Sequence, residues 1–312
     1  MPPGSYHIHM TSAPITPLHF RLRRSALYLP GTNARALDKA RSLPADALIF
    51  DLEDSVLPEA KERAREAVMQ TLAAGGYGAR ELVIRVNSAD TPWHVDDLHA
   101  AATSGAHAVL LPKVDDAPAL LHSVSLLERS GAPASMRVWA LIGTPRAIQQ
   151  VQAIAEASPR LALLAMGFED LGKALRLDPG PPRAALLPLL SHCLVAARAR
   201  GIDILDGVYT DLTDSAGFAD SCRQGKSFGL DGKTLIHPGQ IQAANELFGV
   251  SADEAEAATE IIQAWEAAKA QGKGVVVVRG RLVEHLHVAE ARRVLELNAA
   301  SAHTSLPARH GA

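Results

Sequence analysis

Short apolar runs alternate with longer amphipathic stretches along most of this chain. The short runs fall at 26–30, 47–52, 82–86, 108–111, 138–142, 161–166, 202–206 and 234–236. Apolar runs of this kind, closed off by polar, Gly or Pro positions, read as strands buried on both faces. Between them, 33–42, 58–73, 95–103, 117–128, 144–157, 182–199 and 217–228 read as helices. Strand and helix alternating about eight times predict a parallel sheet closed into a (β/α)8 TIM barrel. An open doubly wound sheet is the alternative, but no early G-x-G-x-x-G follows a strand to favour it.

After Pro238 the pattern changes. Residues 252–271 are rich in Ala and Glu and read as one long helix, which Gly272-Lys273-Gly274 breaks. A β-branched run at 275–278, a turn at Arg279-Gly280-Arg281 and a helical pattern at 287–297 follow. The expected organisation is a flexible leader at 1–20, the barrel at 21–250, and a C-terminal extension at 251–312. The extension is long enough to serve as a lid or to pack on a neighbouring subunit.

Composition narrows the function. At 312 residues with 47% apolar content the chain can bury a substantial core. A net charge of −3 makes no electrostatic case for nucleic acid or an anionic membrane. No apolar run approaches the roughly 18–20 residues needed to span a bilayer, and no secretory signal pattern is present. Cys193 and Cys222 sit within helical patterns and read as buried thiols, which points to a reducing, cytoplasmic location.

Polar residues collect just after the predicted strands, where a barrel builds its active site. In chain order these are Pro30-Gly31-Thr32-Asn33, Asp51-Leu52-Glu53-Asp54, Arg85-Val86-Asn87, Lys113, Gly143-Thr144-Pro145, Gly167-Phe168-Glu169-Asp170, Asp206-Gly207 and Ile236-His237-Pro238. Each alone could be a solvated strand end or a helix cap. Together they mark one rim. Asp51, Glu53 and Asp54 are three acids in four residues, and acids this close need a cation or a proton. Arg85 is the natural partner. Either it forms a structural ion pair, or Glu53 orients Arg85 or a metal's waters while Arg85 binds a substrate carboxylate. Asp170 follows a glycine at a strand-to-helix turn, where backbone N–H groups can hold an anion beside a metal. Plain helix capping is the simpler reading. Lys39 either reaches a phosphate or is solvated. Two neighbouring strand ends carrying acids would form half of a hard-metal cage, yet Gly143 stands where the partner of Asp170 would be. His285 and His287 lack the further His or Cys that a zinc site needs and read as packing or lid residues.

Arg24-Ser25-Ala26-Leu27-Tyr28-Leu29-Pro30-Gly31, Phe50-Asp51-Leu52-Glu53-Asp54-Ser55-Val56, Ile84-Arg85-Val86-Asn87, Leu111-Pro112-Lys113-Val114 and Asp231-Gly232-Lys233-Thr234-Leu235-Ile236-His237-Pro238 resemble the citrate lyase β-subunit-like family. This is the HpcH/HpaI aldolase superfamily, and the tail at 275–293 looks closest to its malyl-CoA (β-methylmalyl-CoA) lyase-like branch. The resemblance implies a (β/α)8 barrel that assembles as a homotrimer or hexamer, with the extension of one subunit covering the site of the next. It implies Mg2+ held by a Glu after the fifth strand and an Asp after the sixth, positions that are Gly143 and Asp170 here. It places the substrate arginine at Arg85, the lid acid at Glu284, and CoA contacts around Tyr28, Lys39, Ile236 and His237. A basic residue that some members use for a CoA phosphate falls on Asn33.

The implied reaction is a reversible Claisen-type cleavage of a 3-hydroxyacyl-CoA thioester to a 2-oxo acid and an acyl-CoA. Malyl-CoA, β-methylmalyl-CoA and citryl-CoA are the candidate thioesters. Arg85 and the amides near Glu169 and Asp170 would neutralise developing charge, and Glu284 would move the proton at the thioester carbon. Gly143 removes one anionic ligand, and three readings stay open. Glu169 or Glu53 replaces it; the lyase is impaired; or the barrel is silent or metal-independent and binds a CoA ester or small acid.

Overall fold

The computed structural model describes residues 21–178 and 183–304; the expected leader at 1–20 lies outside them. Strands and helices alternate as β1 (Ser25–Pro30), α1 (Ala34–Lys39), β2 (Ala47–Asp51), α2 (Lys61–Ala74), β3 (Glu81–Arg85), α3 (His94–Ala102), β4 (Ala108–Leu111) and α4 (Ala117–Arg129). The second half continues with β5 (Arg137–Ile142), α5 (Pro145–Glu156), β6 (Leu161–Met166), α6 (Phe168–Ala174), α7 (Leu187–Arg200), β7 (Asp203–Asp206), α8 (Ser215–Phe228), β8 (Gly232–Leu235) and α9 (Ile241–Phe248). The eight strands are parallel and close into a barrel, with β8 paired to β1. The open-sheet alternative is thereby excluded. All eight expected strands are present, shifted by no more than two residues at either end. The helix expected to start at Asp170 is α6, and α9, eight residues long, was not anticipated.

Alternation along each strand divides the core in two. Ala26, Ala47, Ile49, Val83, Leu110, Trp139, Leu163 and Leu205 point inward and pack against one another inside the barrel. Leu27, Leu48, Phe50, Ile84, Val109, Val138 and Leu164 point outward beneath the helices. Continuing this alternation sends Tyr28, Asp51, Arg85, Gly143 and Gly167 inward at the C-terminal ends of their strands. Gly31 is a point of close approach. Its N–H donates to Asp51 O at 2.9 Å, and a Cβ there would also meet that oxygen at 2.9 Å. The tight β1–α1 turn therefore requires glycine.

The C-terminal extension is α10 (Ala252–Ala270), the antiparallel hairpin β9 (Val276–Val278) and β10 (Arg281–Val283), and α11 (His285–Thr304). The interruption at Gly272-Lys273-Gly274 falls where expected. Ser251 starts α10 with a capping box closed by Glu254. Lys226 on α8 pairs with Glu254 at 2.9 Å, and Arg24, just before β1, donates to Ser301 near the end of α11 at 3.2 Å. Arg24 lies at the end of the barrel opposite the mouth, so α11 is tied to that far end.

Candidate active site at the barrel mouth

A cavity of ≈ 390 Å³ opens at the C-terminal ends of the strands. Tyr28, Asp51, Arg85, Glu169, Asp170 and Ile236 are among the residues lining it. Five residues expected from sequence (Tyr28, Arg85, Glu169, Asp170 and Ile236) are thus brought together, although they span four strands and more than half the chain.

Arg85 is fixed from several sides. Its Nε and Nη2 donate to the two carboxylate oxygens of Asp51 at 2.6 and 2.7 Å. Nη1 lies 3.0 Å from Glu53 Oε2 and 3.4 Å from Asp54 Oδ2. Its guanidinium plane stands 4.6 Å from the centre of the Tyr28 ring. The bidentate partner is therefore Asp51, not Glu53. β2 and β3 are in register with Asp51 opposite Arg85, so the two meet directly across the ladder. Burial alone would raise the Asp51 carboxyl, but the adjacent guanidinium outweighs it and holds Asp51 below its usual range. Burial likewise opposes the charge on Arg85, and Asp51 more than offsets this. Burial pushes the Tyr28 hydroxyl up to about 12, so it is a neutral phenol at physiological pH.

Glu53 is the uneasy member of the cluster. It is buried, and both oxygens are within ion-pair distance of cations, Arg85 at 3.0 Å and Lys113 at 3.3 Å. Neither oxygen has a donor aligned well enough for a hydrogen bond. Burial pushes its pKa up to about 7, and the charges of Arg85 and Lys113 only partly counter this. Lys61 anchors the same loop from below, donating from Nζ to the carbonyls of Leu52 at 2.9 Å and Glu53 at 2.7 Å. Sequence reasoning missed Lys61. The signal was its position on the buried stripe Lys61, Ala64, Val68, Leu72, where a lysine stands out.

Asp170 lies on the first turn of α6, directly across from β5. A Cβ built on Gly143 would meet Gly167 O at 3.3 Å and the Asp170 Cβ at 3.4 Å. Position 143 thus adjoins Asp170 and has no carboxylate to offer. Among the described residues no group of three His, Cys, Asp or Glu side chains is placed to hold a metal ion. Behind this wall, Asp206 at the end of β7 is wholly buried between Lys233 at 2.8 Å and Arg183 at 2.5 Å. Arg183 stands 5.6 Å from the Phe168 ring, which opens α6. Asp206, expected on the rim, thus turns outward, and its pairing with Lys233 and Arg183 was not anticipated.

Four expected residues do not line the cavity, and the first is Glu53, which stands behind Arg85. Lys39 is exposed at the C-terminal end of α1, and that helix runs away from the mouth. His237 turns its Nδ1 to accept from the Gly239 N–H at 3.0 Å and caps a short 3₁₀ helix. Glu284 precedes α11, and its N–H donates to His287 Nδ1 at 3.0 Å. Asn33 caps α1 by accepting from Ala36 N at 3.0 Å. Cys193 and Cys222 are free and buried. No helix among the described residues is long and apolar enough to cross a membrane.

Comparison with known proteins agrees with this geometry. The model of the HpcH/HpaI aldolase/citrate lyase family matches residues 24–238. The chain is 44% identical over 272 residues to a (3S)-malyl-CoA thioesterase of Cereibacter sphaeroides, covering 87% of this chain and 93% of that one. It is 38% identical over 291 residues to the citrate lyase subunit beta of Escherichia coli, covering 92% and 96% respectively. The crystal structure of CitE from Mycobacterium tuberculosis in complex with magnesium, acetoacetate and coenzyme A superposes with a TM-score of 0.73. That match is at 26% identity and covers 90% of this chain and 100% of that one.

Proposed function

The chain belongs to the HpcH/HpaI aldolase/citrate lyase family, and on that premise we propose that it is a carbon–carbon lyase acting on a 3-hydroxyacyl-CoA. The substrate class is that of malyl-CoA, β-methylmalyl-CoA or citryl-CoA, and the products are a 2-oxo acid and an acyl-CoA. The observation that carries this reading is the shared cavity in which the guanidinium of Arg85 and the carboxylate of Asp170 both form the wall.

The donor set suits Mg2+ in a reduced form. Asp170 is the one committed carboxylate, and Mg2+ tolerates few protein ligands when substrate oxygens and water complete its shell. Glu169 and Asp54 on the cavity wall are further hard donors at hand, and Glu53 stands behind Arg85. When bound, Mg2+ supplies Lewis-acid polarisation of the oxo acid's oxygens. Everything else falls to the chain's own residues. Asp51 holds Arg85 with its charge at the cavity wall, where it stabilises negative charge on substrate oxygens. Cleavage breaks the bond between C2 and C3 of the hydroxyacyl group as the hydroxyl gives up its proton. Glu53, buried behind Arg85 and Lys113, would receive that proton through an intervening water. The acyl-CoA enolate so formed then takes a proton at carbon. Glu284 is the proposed donor, supplied by a neighbouring copy in a homotrimer or hexamer, since Glu284 does not line the cavity of its own chain. The exposure of Val277, Leu282 and Leu286 beside Glu284 supports such packing. His237, next to Ile236 of the cavity wall, would serve the CoA moiety, with Lys39 at the far end of α1 left for a distal CoA phosphate; a cytoplasmic location is part of this proposal.

Hydrolysis of the thioester is the second reading, favoured by the 44% identity to a malyl-CoA thioesterase. One assay separates the possibilities. The purified protein is given malyl-CoA with MgCl2, and free thiol and 2-oxo acid are followed together. Oxo acid without free thiol means the lyase. Free thiol without oxo acid means the thioesterase. Neither product, with citryl-CoA and β-methylmalyl-CoA also inert, would defeat both in favour of a silent CoA-ester-binding barrel.

A further inference from the structure

Lys113 is the cation at the mouth that this mechanism leaves unused. β4 ends at Leu111, with Ala108 and Leu110 pointing into the barrel. Regular strand backbone would turn the side chain at 113 outward, toward the helices. Lys113 instead has φ of 50°, in the left-handed region that a residue with a Cβ occupies only at a free-energy cost. With this backbone its Nζ lies 3.3 Å from Glu53 Oε1. The lysine side chain is 45% exposed and the glutamate 6%, so the ammonium stands between solvent and a buried carboxylate.

Donor capacity separates Lys113 from Arg85. Arg85 spends Nε and Nη2 on Asp51, directs Nη1 at Glu53 and Asp54, and covers one face with Tyr28. Few of its five N–H groups are left for a ligand. Lys113 has three N–H groups and faces a carboxylate with which it is not aligned. Its flexible stem allows Nζ to leave Glu53 and follow an incoming anion, and Glu53 then keeps Arg85 as its counter-charge. Gly143 contributes in the same direction. With no acid there, an anionic substrate beside Asp170 meets less repulsion.

We propose that Lys113 is a substrate-binding residue whose ammonium takes the carboxylate of the 2-oxo acid at the rim of the cavity. The proposal rests on the function given above and adds a contact for the substrate's carboxylate that Arg85, engaged by Asp51, leaves open. Glyoxylate, the simplest 2-oxo acid, is titrated into the full-length protein with MgCl2 and without any CoA compound, by calorimetry. Lys113→Met is expected to weaken glyoxylate binding about tenfold or more and to raise KM for the CoA ester, with kcat changed less than about threefold. Lys113→Arg should recover most of the affinity. Lys113→Gly accepts the positive φ without strain, so it should melt no lower than the parent and yet bind glyoxylate as poorly as Lys113→Met. If Lys113→Met or Lys113→Gly binds glyoxylate as tightly as the parent, this proposal is overturned and the ester chemistry stands. If the parent cleaves the ester but binds no glyoxylate, this proposal again fails alone. If the parent neither binds glyoxylate nor turns over any ester, both readings fall.

Discussion

The barrel carries an arginine–carboxylate cluster at each end, and the two are built to different ends. At the lower end Arg23 takes both oxygens of Glu81 at 2.6 and 2.8 Å and also pairs with Asp203. Arg24 takes both oxygens of Asp46, each at 2.8 Å. Arg23 also lies 5.4 Å from the centre of the buried Trp139 ring, so side chains fill that end. At the mouth, Arg85 takes both oxygens of Asp51 in the same way, but two further acids crowd it, and Glu53 is left without an aligned donor. A cavity opens where the lower end is plugged. The same ion pair is structural where charges are matched and space is filled. It is a candidate site where acid is in surplus and a ligand can enter.

This contrast can be broken by mutation. Asp170→Asn at the mouth should lower ester turnover by about 10³-fold or more while the protein melts normally, measured by steady-state kinetics beside thermal unfolding. Arg23→Met at the lower end should do the opposite. It leaves Glu81 buried without its partner and should cost about 3–5 kcal/mol in denaturant unfolding, with kcat per folded molecule within about twofold of the parent. An Arg23→Met protein that folds fully but has lost turnover would end the distinction between the two ends.

Smaller effects sharpen the comparison. Gly143→Glu should tighten Mg2+ binding about 10–100-fold by calorimetry, since it restores one charged ligand beside Asp170. Its Cβ would lie 3.3 Å from Gly167 O, so β5 and α6 must separate by a few tenths of an ångström, at a stability cost of about 1 kcal/mol. Unchanged Mg2+ affinity would mean that position 143 does not address the metal in this chain.

Glu53→Gln tests the surplus acid itself. The folded pKa of Glu53, about 7, lies above the ordinary carboxylate value. The folded state therefore binds this proton more tightly than the unfolded chain, and stability falls as pH rises from the ordinary value to 7. Glu53→Gln should remove that decline and be within about 1 kcal/mol of the parent, or more stable, above pH 7. The kcat/KM profile should lose its limb near pH 7 at the same time. Melts from pH 5 to 9 that overlay those of the parent would show that Glu53 does not titrate there.

Strand order, barrel closure and the acids and bases of the rim were all legible before any coordinates. Alternation has a period of two, and the chemistry of a (β/α)8 barrel gathers after its strands, so polar residues at eight run ends point to one face. Arg85, Glu169, Asp170 and Ile236 stood among the residues of that rule, whereas Tyr28 came only from the family resemblance. The bidentate pairing of Arg85 with Asp51 did not, because it depends on the register of β2 against β3. Lys61 and the Asp206, Lys233 and Arg183 network were also out of reach. Their partners are backbone carbonyls or residues on other elements, and such contacts leave no local pattern.

The sequence alone determined that eight strands would close and which residue types would crowd their ends, because those follow from short-range periodicity and burial. Only the tertiary structure decided which acid holds Arg85, that Glu53 is left poorly paired, that Lys113 turns inward on a left-handed backbone, and that Glu284 does not line the cavity of its own chain. Each of these is set by distances between segments far apart in the chain, and no local preference encodes such a distance.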